Sequence, residues 1–98
     1  MRLNPENDVA HYNLGAALGK KGDWGGEITE EHEALRLNPK NELALDNLVI
    51  AHIGRGLALE KKGDLDGAIA EYRKALRLNA NDDMAHVNLG RALRYKGD

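Results

Sequence analysis

The tetrapeptide Arg2-Leu3-Asn4-Pro5 returns as Arg36-Leu37-Asn38-Pro39, about 34 residues along the chain. Self-similarity at a fixed period of this size marks a stack of supersecondary units, none of which can bury its apolar face alone. Lys62-Gly63-Asp64 returns as Lys96-Gly97-Asp98 at the same offset. Other copies are spaced differently. Ala34-Leu35-Arg36-Leu37-Asn38 matches Ala75-Leu76-Arg77-Leu78-Asn79, about 41 residues on, and Ala10 to Gly15 has a late copy in Ala85 to Gly90. The change of offset falls between Leu48 and Lys62, because Asn13-Leu14 to Asn47-Leu48 keeps the short spacing and Lys21-Gly22-Asp23 to Lys62-Gly63-Asp64 has the long one. About seven extra residues therefore lie there, and the stretch Ala51-His52 to Leu59 fits the start of the repeat a second time, one heptad after Ala44-Leu45.

The repeated unit is helical. Leu and Ala dominate the apolar residues, Phe is absent, Trp occurs once, and the two prolines, Pro5 and Pro39, fall between units. Leu and Ala are strong helix formers, and nothing alternates with the period of a strand. Five helices are expected, at about 8–21, 24–37, 42–62, 65–78 and 83–96, with Asn7 or Asp8 and Asp23 as N-caps, Gly22 and Gly63 as stops, and Asn38-Pro39 closing the second. The third is elongated. Gly15, Ala17, Ala68, Ala75 and Gly90 are expected where helices approach closely. Leu14, Leu18, Ile28, Leu35, Leu48, Leu59, Ile69, Leu76, Leu89 and Leu93 are expected to supply the buried apolar area.

Asn13-Leu14-Gly15, Lys21-Gly22-Asp23-Trp24, Ala68-Ile69, Tyr72, Ala75-Leu76 and Asn38-Pro39 together resemble the signature of the tetratricopeptide repeat (TPR) family. The resemblance covers nearly the whole chain. It implies an all-α, TPR-like α-solenoid of helical hairpins with about 2.5 repeats, in one domain spanning 1–98. Repeat 1 would be about 8–41. Repeat 2 would be about 42–82, with the seven-residue insertion in its first helix, and 83–96 would be part of a capping helix at 83–98. It also implies a scaffold that binds a peptide or protein segment on the concave face of its A-type (odd-numbered) helices. The groove positions then fall on Val9, Tyr12, Ala16 and Lys20; on Ile50, Ile53, Leu57 and Lys61; and on Met84, Val87, Arg91 and Tyr95. Members of the family that hold a terminal carboxylate use a Lys/Asn/Asn/Lys/Arg clamp. The matching positions here are Tyr12, Ala16, Asn47, Met84 and Asn88, of which Asn47 alone agrees, so that mode is not expected.

Two departures stand out. The long helix at 42–62 carries Gly54 and Gly56, each about 1 kcal/mol worse than Ala in a helix, and a bend or break is expected at them. In the second helix, Glu27 and Glu31 stand where the fourth helix has Ala68 and Tyr72. A lone buried carboxylate is costly, so these side chains are expected to turn to solvent or to a second chain. Glu27, Glu31, Gly54 and Gly56 thus mark an alternative to the scaffold, a homodimer formed by exchange of hairpins through the long helix.

Other chemistry is not expected. The formal net charge of −2 gives no basic face for nucleic acid, and the absence of Cys removes thiol catalysis, disulfides and thiolate metal sites. No stretch is long enough to span a membrane, so none is expected as a partner, and a cytoplasmic location is the default. The two ends read as cuts from a longer array. His11, His52 and His86 share one repeat position and read as structural. His32 lies among Glu30, Glu31 and Glu33, but neighbours in sequence do not share a helix face, so no metal site is expected. The pair Glu27 and Glu31 has no convergent catalytic partner. The chain is expected to need no cofactor and not to be an enzyme.

Overall fold

In the computed structural model, residues 7–97 are described. The tetrapeptide at 2–5 and the last copy's Asp98 lie outside them. The described residues form five helices: α1 (Asp8–Lys20), α2 (Trp24–Leu37), α3 (Glu42–Lys61), α4 (Leu65–Leu78) and α5 (Asp83–Lys96). No strand occurs among them. The fold is an all-α helical repeat.

Each boundary has a local cause. The Asn7 side chain accepts hydrogen bonds from the Val9 and Ala10 amides at 2.9 and 3.2 Å. Asp23, Asp64 and Asp82 each accept one from the amide three residues on. These caps satisfy donors that the first turn leaves open. Gly22 and Gly63, at φ of 82° and 86°, turn the chain out of α1 and α3. Asp23 N then bonds to Leu18 O and Gly22 N to Gly19 O, the paired closure of a Schellman motif; Asp64 to Leu59 and Gly63 to Glu60 repeat it. Asn38 ends α2 in an extended conformation, as a residue preceding proline favours.

The contacts divide the chain into two compact units, Met1–Ala51 and His52–Asp98. The boundary falls inside α3. Its first half belongs with α1 and α2, and its second half with α4 and α5. Each unit is thus a hairpin and a following helix. The long offset of about 41 superposes one set of residues on the other: Gly15 on Gly56, Glu30 on Glu71, Ala34 on Ala75, Ala44 on Ala85 and Asn47 on Asn88. The heptad in α3 lets one helix supply the last helix of one unit and the first of the next.

At 20 residues, α3 is a heptad longer than the 13-residue α1, and it runs unbroken. The break expected at Gly54 and Gly56 is absent. Gly56 instead meets the Tyr72 ring, so closely that a Cβ there would lie 2.5 Å from Tyr72 Cε1. The core also differs from expectation. Leu48 and Ile69 are buried as expected, but Leu14 is exposed, and most fully buried positions are alanines: Ala34, Ala44, Ala51, Ala68, Ala75, Ala85 and Ala92. Alanine lets helix backbones approach, and the leucines then cover the seam from its sides, half-buried.

Candidate binding surface

The two hairpins are fastened by the same pair of side chains. His11 Nδ1 donates to Glu30 Oε1 at 2.7 Å in the first unit, and His52 Nδ1 donates to Glu71 Oε1 at 2.8 Å in the second. Burial raises the Glu71 pKa, but hydrogen bonds from His52 and Lys74 outweigh it and hold the carboxyl below its ordinary range. His86, on the last helix, donates from Nε2 to the Ala80 carbonyl instead. The structural reading of these three histidines agrees with their surroundings. His32 is exposed, and no group of metal-holding side chains occurs among the described residues.

In the second unit the Glu60 carboxylate, on α3, is fully engaged. Tyr72 OH donates to Oε1 at 2.8 Å, while Arg91 reaches from α5 with Nε on Oε2 and Nη2 on Oε1, both at 3.1 Å. The Arg91 hydrogen bonds are the main reason the Glu60 pKa falls below the usual carboxylate range. Burial, with Glu60 beside it, pushes the Tyr72 phenol up to about 12.

The first unit lacks this arrangement. Glu27 and Glu31, expected to turn outward, are buried, at 4% and 0% exposure. Gly15 and Gly19 on α1 make the room. A Cβ at Gly15 would lie 2.6 Å from Glu31 Oε2, and one at Gly19 would lie 2.2 Å from Glu27 Oε1. Glu27 Oε1 has no hydrogen-bond partner, and the Glu31 carboxyl oxygens have only the Asn47 side chain near them. Burial raises both pKa values to about 7; at Glu31 the Asn47 side chain opposes the rise, while the charges of Glu27 and Glu30 add to it.

Two clefts open on the first unit. One, of about 420 Å³, is lined by Val9 and Tyr12 of α1 with Asp8, Asn38, Lys40, Asn41, Glu42 and Leu43. Asp8 Oδ2 accepts from Asn38 and Asn41 at 3.1 and 2.9 Å and holds the α2–α3 turn against the start of α1. The other, of about 280 Å³, is lined by Ala16, Gly19, Lys20, Trp24, Glu27, Asn47 and Ile50. Five of the groove positions read from sequence, Val9, Tyr12, Ala16, Lys20 and Ile50, therefore line clefts of this unit. In the second unit, Met84, Val87 and Tyr95 stand exposed along one side of α5, Lys61 is exposed, and Leu57 is half-buried. Ile53 is buried at 5% exposure, and Arg91 is turned to Glu60. Sequence reasoning missed Gly19 and Trp24, and also the Glu60–Tyr72–Arg91 cluster. The signal for the histidine pairs was present, since His11 with Glu30 recurs as His52 with Glu71 at the long offset.

Among the described residues no helix is long and apolar enough to cross a membrane. A family model for the TPR repeat matches residues 56–97. Among solved structures, the chain is similar to the TPR domain of Arabidopsis OM64, at 22% identity and a TM-score of 0.48, over 95% of this chain and 99% of that one. No curated protein matches it.

Proposed function

We propose that this chain, of which residues 56–97 match the family model for the TPR repeat, works as a scaffold holding a peptide or protein segment on its A-type helices, α1, α3 and α5. Domains of this family generally mediate protein–protein interaction and are generally non-catalytic. The observation that carries the reading is the exposure of large apolar side chains at A-helix positions: Val9 on α1, Ile50 on α3, and Met84, Val87 and Tyr95 on α5. Val9, Ile50 and Met84 share one repeat position, and apolar side chains left in water there mark a partner surface more than a core defect.

A random peptide library tests this. Bound sequences should carry apolar anchors, and binding should weaken about tenfold or more in Tyr12→Ala and in Leu57→Ala. A library that yields no binder, or binders indifferent to both substitutions, sinks the reading. Self-association is the second reading, favoured by one observation: α3 is a single helix divided between two compact units, the arrangement from which hairpin exchange starts. Light scattering that reports a monomer mass across a wide concentration range removes it.

A further inference from the structure

The two units place the same backbone positions around different chemistry, and the comparison identifies what the first one lacks. In the second unit a carboxylate between the helices, that of Glu60, is matched by a guanidinium from the following helix, that of Arg91. In the first unit the carboxylates come from the opposite helix. Gly19 occupies the Glu60 position and Glu27 the Ala68 position, and the Glu27 carboxylate fills the space a side chain at Gly19 would need. The Arg91 position is taken by Ile50, and Ile50, Asn47 and Glu27 together line the 280 Å³ cleft. The Glu27 carboxylate is thus present and no guanidinium matches it. We infer that this cleft receives an arginine side chain from the bound polypeptide, which pairs with Glu27 as Arg91 pairs with Glu60.

This pairing rests on the scaffold reading and gives it a partner chemistry. Glu27 Oε1, on the wall of the cleft, is buried without a partner, a costly feature, and a cation with several N–H donors removes the cost. A guanidinium fits better than an ammonium, because its planar fork spans two oxygens at once and it gives up its hydration more easily. The wall of the cleft suits the apolar stem, with Ala16, Trp24 and Ile50 around it. The charged and titratable groups facing the carboxylates are few. Lys20 stands on the α1 side of the cleft but makes no ion pair with Glu27, Glu30 is engaged by His11, and α3 offers the neutral Asn47. The polarity is the reverse of a clamp for a terminal carboxylate.

Burial puts the Glu27 pKa at about 7, so arginine binding at or below neutral pH releases a proton from it. Isothermal titration calorimetry of the full chain with acetyl-Leu-Arg-Leu-amide, and with the same peptide carrying citrulline for arginine, reads both effects. The arginine peptide is expected to bind about thirtyfold tighter than the citrulline one. Its heat should vary with the ionisation enthalpy of the buffer, and its affinity should rise about tenfold per ionising carboxyl from about pH 6 to about pH 8. Glu27→Gln, which keeps the shape of the side chain, should abolish the preference. Ile50→Arg, which supplies the cation from within, should abolish binding and raise the thermal midpoint. Equal affinity for the two peptides, no binding of either, absence of proton release, or an unchanged preference in a folded Glu27→Gln overturns the inference. Library peptides that bind through Tyr12 but carry arginine no more often than chance overturn it while the scaffold reading stands; a library without binders overturns both.

Discussion

Glu27 and Glu31 make the pH dependence of this protein unusual in direction. An acid whose folded pKa lies near 7 and whose unfolded pKa is near the ordinary 4.5 costs nothing while both states are protonated. As pH rises from about 4.5 towards 7, the unfolded chain ionises and the folded one does not, so stability falls across that window and levels off above it. The loss is of order 3 kcal/mol at most for each carboxyl. The thermal midpoint should therefore be higher at about pH 5 than at about pH 7.5, and Glu31→Gln should flatten the slope; a midpoint that rises through this range contradicts the buried, protonated pair. Glu60 and Glu71, whose pKa values are lowered, act in a separate window, losing their contribution as pH falls below the ordinary carboxylate range. At this scale the caps and turn glycines were legible in sequence, because Asp23, Asp64, Gly22 and Gly63 act on their immediate neighbours. The fate of Glu27 and Glu31 was not. Their burial depends on Gly15 and Gly19 across the helix seam, and a glycine opposite a glutamate signals nothing until the two helices are placed together.

Among the elements, α3 shows how glycine has two opposite meanings in a helix. Gly56 permits the close approach of the Tyr72 ring. Gly56→Ala should cost about 1–3 kcal/mol, the usual penalty of overpacking, despite the better helix propensity of alanine. Gly90 in α5 has nothing within 4 Å of the position a Cβ would take. Gly90→Ala should therefore stabilise by about 0.5–1 kcal/mol. Chemical denaturation of both variants checks the contrast, and a stabilised Gly56→Ala would refute the Tyr72 contact. Helix positions and lengths were readable to within about a residue from spacing and stop signals. The break expected in α3 did not occur, since the propensity cost of two glycines is small against a packing contact that needs one of them. The alanine core was misjudged for a related reason: the largest apolar residues look like the core in a sequence, but the tightest seams admit only the smallest.

The chain repeats one plan at an offset of about 41, and the two copies differ in where the carboxylate at the seam between helices comes from. The His–Glu fastener is kept in both, while the carboxylate is supplied from α3 in one copy and α2 in the other. Repeat proteins distribute stability by unit, since each repeat contacts only its neighbours. Removing the partner of Glu60 should act locally: Arg91→Ala should cost about 1–3 kcal/mol, and hydrogen exchange should quicken across α4 and α5 more than across α1 and α2. Equal loss of protection in all five helices would show instead that the molecule opens as one. That the chain is an array of helical hairpins was legible from recurrence alone. Its division inside α3 was visible only as two competing offsets, which a linear reading treats as an insertion and the fold treats as a shared helix.

Trp24, the one tryptophan of the chain, lies in the first unit and lines the same cleft as the buried Glu27. Its emission consequently reports on half of the molecule, whereas far-ultraviolet dichroism sums over all five helices. Melting curves recorded by the two signals would coincide for a single cooperative transition and separate for a sequential one, so the chain carries an optical label on one of its copies without any dye being attached.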